Sequence, residues 1–165
     1  MRYSKIDEFE IVNGEGVGVS IYTQGCPFHC EGCFNQELWN MEAGNLWTSK
    51  EEDEVMGLLN RKGIDRLTIV GGEPLLDRNI KELTHLFERI RGVYGNDIKI
   101  WVYTGNDYDY IKEHYKNILT YIDVLIDGRF ILAQRDITLK FRGSSNQRII
   151  DVPQSLMKGE VILYG

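Results

Sequence analysis

Val17-Gly18-Val19-Ser20-Ile21-Tyr22-Thr23, followed at once by Gln24-Gly25-Cys26-Pro27-Phe28-His29-Cys30-Glu31-Gly32-Cys33-Phe34-Asn35, is the stretch on which the reading of this chain turns. Its first part is rich in Val, Ile and Tyr and reads as a β-strand. Its second part holds all 3 cysteines of the protein, spaced C-x3-C-x2-C. Thiolates gathered on one short loop suit a soft metal centre, and three without a fourth suit one with an open position.

Working outward, the chain after this loop alternates strands and helices. Gln36 to Gly44 is ambiguous, with Leu38, Trp39 and Trp47 expected to cover apolar surface. Thr48-Ser49-Lys50-Glu51-Glu52 contains two overlapping capping boxes, a helix start. Val55, Leu58 and Leu59 give that helix its apolar stripe, and Gly63 is expected to end it. Arg66 to Val70 reads as a strand stopped by Gly71-Gly72-Glu73-Pro74. Ile80, Leu83, Leu86, Phe87 and Ile90 recur at helical spacing and predict a second helix over residues 79–91. Ile98 to Tyr103 is the next strand, a helix is expected over 107–119, and Asp123 to Ile126 is a further strand closed by Asp127-Gly128. Upstream, Asp7 to Gly16 reads as polar with a turn at Asn13-Gly14-Glu15-Gly16. Beyond residue 128 the rhythm fails, leaving two short strands at Arg148 to Val152 and Glu160 to Tyr164.

Such alternation implies βα units and a mainly parallel sheet. The units are too few for a closed eight-fold barrel, so the expected fold is α/β, an open, partial (βα) barrel of mainly parallel strands. With no repeat, low-complexity tract or linker, residues 1–165 are expected to form a single domain. In parallel α/β sheets the carboxyl ends of the strands gather along one edge, where ligands bind. The cysteine loop, Gly71 to Pro74 and Thr104 to Asn106 each follow a strand, so they are expected to share one site.

The composition narrows the function classes. The chain is 42% hydrophobic and 27% charged, with net charge −6, which argues against a nucleic-acid-binding footprint. No segment has the length of uninterrupted apolar residues that a membrane span needs. The first residues lack the apolar core of a signal peptide, so a cytoplasmic protein with reduced thiols is expected. An odd cysteine count also speaks against a disulfide framework.

Three readings of the cysteine loop stay open on the residues alone. The thiols could be incidental, or ligands of a structural zinc, or ligands of an iron–sulfur cluster. Zinc would need a fourth ligand from the 3 histidines. His29 is awkwardly placed beside Cys30, His85 falls opposite the apolar stripe of its helix, and His114 lies on the flank of the third helix. Three thiolates on a [4Fe–4S] cluster would leave one iron open to an exogenous ligand.

The spacing Cys26, Cys30, Cys33 after a first strand, with Gly71-Gly72-Glu73-Pro74 downstream, resembles the radical S-adenosylmethionine enzymes. Further segments narrow this. Asn13 to Gly16, Gly25 to Asn35, Trp101 to Gly105, Val124 to Gly128 and Phe141 to Arg148 are together similar to the activating components of anaerobic ribonucleoside-triphosphate reductases. The resemblance implies a barrel of the radical S-adenosylmethionine type and a [4Fe–4S] cluster held by Cys26, Cys30 and Cys33. It also implies S-adenosylmethionine as the ligand of the open iron. One electron would cleave the sulfonium, and the resulting 5′-deoxyadenosyl radical would take hydrogen from a backbone glycine of the large reductase subunit. A flavodoxin-like protein is the implied electron donor. Other outcomes to be told apart are a compact radical enzyme acting on a small molecule, such as a deazapurine synthase, and a non-catalytic zinc-binding module.

The resemblance implies that Gly71, Gly72 and Glu73 contact the methionyl amino group. The chain departs from many such enzymes at Gly32, where an aromatic or large apolar residue usually precedes the third cysteine. Backbone contacts from Gly32, Cys33 and Phe34, with the Phe34 ring as a surface, are the expected substitute for holding the adenine. Thr104 is a candidate hydrogen-bond partner for the ribose or carboxylate, with Asn106 a weaker one. Asp127 is open between ligand contact and turn capping, and Arg142 to Arg148 has no role that its chemistry assigns. No acid–base pair stands out, and a radical abstraction needs none.

Overall fold

The strand ahead of the cysteines alternates Val19 and Ile21 on one face with Ser20 and Tyr22 on the other, and both apolar residues are fully buried. This division between an apolar and a polar-aromatic face runs through the whole sheet of the computed structural model, which describes residues 1–165. The strands are β1 (Arg2–Glu10), β2 (Gly18–Thr23), β3 (Asn45–Leu46), β4 (Arg66–Gly71), β5 (Lys99–Tyr103), β6 (Val124–Asp127) and β7 (Arg148–Asp151). The helices are α1 (Ser49–Leu59), α2 (Asp77–Tyr94), α3 (Tyr108–His114), α4 (Lys116–Leu119) and α5 (Val152–Lys158), with single 3-10 turns at Gln36–Leu38 and Leu132–Gln134.

All strands join one sheet in the order β3-β1-β2-β4-β5-β6-β7. The fold is α/β, and β2, β4, β5 and β6 pair in parallel while β1, β3 and β7 pair antiparallel at the flanks. From β2 to β6 each crossover steps one place in the same direction. Right-handed crossovers therefore set α1, α2 and the α3–α4 pair on one face. There Val19, Ile21, Leu67, Ile69, Ile100, Val102 and Leu125 meet Val55, Leu59, Leu83, Leu86, Phe87, Ile90, Ile111 and Ile118 in the main core. Thr48 opens α1 with the expected capping box, its side chain accepting the Lys50 N–H.

The opposite face has no helices. Trp101, Val124 and Ile126 form a small second cluster there with Tyr103, Phe141, Ile149 and Tyr164. Beside it lies a buried polar network. Arg66, fully buried, sets a guanidinium nitrogen 2.6 Å from Glu10 Oε1. Glu10 also accepts the Ser20 hydroxyl at 2.6 Å and the N–H groups of Val12 and Asn13 at 2.7 and 2.9 Å. Arg66 Nε–H reaches the Glu15 carbonyl at 3.0 Å. This network presses the 11–17 loop onto the helix-free face. Burial alone would raise the Glu10 pKa, but Arg66, Ser20 and the Asn13 N–H outweigh it and hold the carboxyl below its ordinary range.

Several expectations need correction. Asp7 to Gly16 is not merely a polar turn, because β1 runs through Glu10 and pairs with β2 at Ile6↔Ile21, Asp7↔Ser20 and Glu10↔Gly18. Its charged residues are tolerated near the sheet's margin, where Lys5 Nζ sits 4.5 Å from the Tyr22 ring centroid. α1 ends at Asn60 rather than Gly63. The expected 107–119 helix breaks at Tyr115, whose φ of −137° is not helical. Arg148 to Val152 is a strand only to Asp151, whose side chain caps α5 by accepting the Gln154 N–H. Glu160 to Tyr164 forms no strand of its own. It runs antiparallel along the outer side of β7 through the bridge Ile150↔Leu163 and the bonds Asp151 N–H to Ile162 O and Tyr164 N–H to Ile149 O.

Candidate functional site

The loops that follow β2, β4, β5 and β6 meet above the carboxyl ends of their strands. Gly72 N–H bonds the Thr23 carbonyl at 2.9 Å, Glu73 N–H the Gly25 carbonyl at 2.8 Å, and Gly128 N–H the Asn106 carbonyl at 3.1 Å. Gly72 is a close-approach position, since a Cβ there would lie 2.4 Å from the Gly25 carbonyl oxygen. Between the loops opens a cleft with about 870 Å³ of space continuous with solvent. Cys26, Cys30, Cys33, Phe34, Gly71, Gly72, Glu73 and Thr104 all line it. The three loops expected to share one site do so.

All three thiols are free and half-buried. Burial raises the pKa of Cys26, against the opposing pull of the Phe28 and His29 N–H groups. Burial likewise raises that of Cys30, where the Phe130 N–H and the Arg129 charge oppose it. Asn35 N–H points to Cys33 Sγ at 3.4 Å. Such N–H donors suit sulfur that carries negative charge, whether as thiolate or as cluster ligand. The histidines do not complete a tetrahedral site. His29 stacks on Trp39 with ring centroids 4.5 Å apart, His85 pairs with Glu52, and His114 stacks on Tyr110. No set of three or more Cys, His, Asp or Glu side chains converges on one metal-ion position. A three-thiolate set spread around an open cleft fits a multi-iron cluster with one free corner better than a closed zinc site.

Glu73 is buried under the cleft and ties the loops together. Its carboxylate accepts the Thr104 hydroxyl at 2.7 and 3.1 Å, the Gly105 N–H at 2.9 Å and the Leu75 N–H at 3.3 Å. Thr104 Oγ1 in turn accepts the Asn106 N–H at 3.1 Å. Thr104 and Glu73 are thus engaged with each other. Burial dominates over these donors and pushes the Glu73 pKa up to about 7.

The folded state therefore holds this proton more tightly than the unfolded chain does, so its stabilising effect is complete below pH 4.5 and is lost as pH rises through 7. Iron-free wild-type protein is expected to lose about 3 kcal/mol of stability across that window relative to Glu73→Gln. Urea unfolding of both proteins at pH 5 and pH 8 checks this, and parallel pH profiles would refute it.

Gly32 has a φ of +75°, and a Cβ there would lie 2.8 Å from Leu132 Cδ1. A side chain at this left-handed position would be strained and would displace the Leu132 side chain that follows β6. Phe34 is 59% exposed, with its ring 5.4 Å from that of Phe130 and 5.1 Å from the Arg135 guanidinium. Asp127 does not line the cleft. It accepts the Tyr108 N–H at 2.8 Å, heading α3, and pairs with Arg148 at 3.0 and 2.6 Å.

Several cleft residues were not singled out in the sequence. Phe28 lies under the Arg129 guanidinium at 4.3 Å and packs on Gly105. Trp39, Tyr103, Arg129, Phe130 and Gln147 complete the wall. Tyr103, Arg129 and Phe130 follow from the strand-end rule already applied to Thr104, whereas Gln147 enters from the turn ahead of the antiparallel β7 and had no such signal. Gln147 also gives the Arg142 to Arg148 segment a role. Its Oε1 accepts the N–H groups of Gly143 and Ser144, and its Nε2–H donates to the Gly128 carbonyl at 3.0 Å.

Comparison with known proteins agrees with this geometry. Residues 12–150 match a family described as a 4Fe-4S single cluster domain. A relative from Haemophilus influenzae is 38% identical over 151 residues, covering 90% of this chain and 97% of its own. Relatives from Vibrio cholerae and Escherichia coli are 34% and 35% identical over 90% and 89% of this chain, and 97% and 96% of their own. All three are named anaerobic ribonucleoside-triphosphate reductase-activating protein. No helix here is long and apolar enough to cross a membrane. A three-thiol cleft at the strand ends, a 4Fe-4S family match over most of the chain and near full-length relatives under one name lead to one conclusion: the chain belongs to the anaerobic ribonucleoside-triphosphate reductase-activating protein family.

Proposed function

We propose that this chain is a glycyl-radical activase of the radical S-adenosylmethionine type, acting in the cytoplasm on an anaerobic ribonucleoside-triphosphate reductase. The observation that carries the reading is the cleft that joins Cys26, Cys30 and Cys33 to Gly71, Gly72 and Glu73. In it the three cysteines would hold a [4Fe–4S] cluster. The cluster with S-adenosylmethionine supplies one-electron cleavage of the sulfonium to methionine and a 5′-deoxyadenosyl radical, which takes a hydrogen atom from a backbone glycine and leaves 5′-deoxyadenosine. The electron comes from a reduced donor such as a flavodoxin-like protein.

The protein's own part is binding, orientation and exclusion of water. Gly71 and Gly72 let main chain approach the methionyl end, and Glu73, held from below by Thr104 and Gly105, presents a carboxyl to a positively charged amino group. Cys33 and Phe34 form the edge against which the adenine lies, with Phe34 as its ring surface and Gly32 behind them against Leu132. Thr104 acts through Glu73. The singly wound strand order supports a partial barrel of the radical S-adenosylmethionine type, in one domain spanning residues 1–165. The relatives' shared name does not favour a small-molecule deazapurine synthase, and the dispersed thiols do not favour a zinc module.

The test is electron paramagnetic resonance of iron-loaded protein mixed anaerobically with the reductase from the same organism. A glycyl doublet that requires this protein, S-adenosylmethionine and a reductant is expected. An intact, reducible cluster that cleaves S-adenosylmethionine but never yields the doublet would overturn the reading.

A further inference from the structure

One wall of the cleft differs in character from the rest of the molecule. Residues 129–142 carry four cations, Arg129, Arg135, Lys140 and Arg142, against the single anion Asp136, in a chain whose net charge is −6. None of the four takes part in any of the chain's ion pairs. Asp136 is turned back on its own loop, accepting the Thr138 N–H and hydroxyl at 2.9 and 2.6 Å. The same segment exposes Ile131, Leu132 and Ile137, the last at 83%, next to the exposed ring of Phe34. Apolar area set among unpaired like charges is the composition of an interface rather than of a solvated face.

The segment is also built to stay in place. Asp136 N–H bonds the Gly143 carbonyl at 3.2 Å and Ser145 N–H the Gln134 carbonyl at 2.9 Å, so 134–145 returns on itself as a short hairpin with residues 137–142 at its tip. Its base is fastened to the cysteine loop through Leu132 against Gly32 and Phe130 against Phe34. The cleft and this strap are one continuous surface.

Granted the activase reading, on which this inference rests, the acceptor is a backbone glycine of a large protein, and its Cα must come within van der Waals reach of the radical. The main chain carrying it has to cross the rim of the cleft. We propose that the exposed face of residues 129–142 docks the reductase beside its acceptor glycine, through an acidic surface with an apolar centre. The strap's cations steer the acidic rim and Ile137 enters the apolar centre.

The test uses iron-loaded Ile137→Glu/Lys140→Glu, altered only at the strap's tip, with Val93→Glu on the outer face of α2 as control. Affinity for the anaerobic reductase from the same organism is measured by anaerobic titration calorimetry. The double variant is expected to bind about tenfold or more weakly, with a matching fall in glycyl radical formed at low protein concentration. Cleavage of S-adenosylmethionine driven by dithionite without reductase should be unchanged, and Val93→Glu should bind as the parent does. Unchanged affinity in the double variant overturns the proposal. So does a variant that binds the reductase normally but is reduced more slowly by a protein electron donor, which would assign the face to that donor. If the parent protein itself yields no glycyl radical, the activase reading falls, and this inference falls with it.

Discussion

Cys30→Ser is expected to give a folded, colourless protein that cannot cleave S-adenosylmethionine. Cys30 stands half-buried on a loop outside the main core, and no residue of the cysteine loop belongs to that core. Exchange of sulfur for oxygen there leaves the α/β packing untouched, so urea stability of the iron-free variant should match the parent within about 0.5 kcal/mol. The chemistry changes completely. A serine hydroxyl is a hard, weakly acidic ligand and a poor match for iron within a sulfide cluster. With only Cys26 and Cys33 left, iron content after anaerobic reconstitution should collapse, and 5′-deoxyadenosine formation should drop below detection. A variant that retained the parent's iron and turnover would show that the cysteine loop is not the cluster site.

Arg66→Met should produce the largest loss of stability of any single change outside the core. The guanidinium is the counter-charge for Glu10 under the helix-free face, and methionine replaces its stem but not its charge or donors. Breaking a buried pair by removing one partner leaves an uncompensated buried charge, at a cost of about 3–5 kcal/mol. The pH dependence should also weaken. In the parent, Glu10 is held below its ordinary pKa, so its contribution is present at neutral pH and is lost as pH falls through the carboxylate range. Without Arg66 burial is opposed only by the Ser20 hydroxyl and the Asn13 N–H, the carboxyl holds its proton more tightly than in the parent, and acidification should destabilise the variant less than the parent. Glu10→Gln combined with Arg66→Met should recover part of the loss. Denaturation midpoints at pH 4 and pH 7 measure both effects, and an Arg66→Met protein as stable as the parent at neutral pH would refute the argument.

What the sequence made legible divides along physical lines. β4, β5 and β6 were readable because each is an apolar run ended by its own turn residues, Gly71-Gly72, Thr104-Gly105 and Asp127-Gly128. The cysteine loop and its neighbours were readable because the strand-end rule needs only the order of elements. β1 was hidden because Lys5, Asp7, Glu8 and Glu10 spoil its alternation, and its stability comes from pairing with β2 and from a buried ion pair that no local pattern announces. α5 did have a signal, Asp151 followed by Val152-Pro153, an N-cap with proline in the first turn, outweighed by the β-branched run before it. The tie between Glu73, Thr104 and Gly105 joins the ends of two neighbouring strands across 31 residues of sequence, so it could be read only as possible ligand contacts until the loops were seen side by side.

The segment 162–164 along the outer side of β7 has a consequence for how another polypeptide can approach. It occupies backbone groups of Ile149 and Asp151 that a strand at the end of a sheet would otherwise offer, and at the other end β3 is only two residues long. The β7 margin therefore cannot template an added strand, whereas residues 4–10 of β1 have no strand beyond them. A chain that visits on the β7 side must be gripped by side chains, with its own main-chain groups hydrated rather than paired to the sheet. That favours a pliable, glycine-containing visitor over a preformed β-strand.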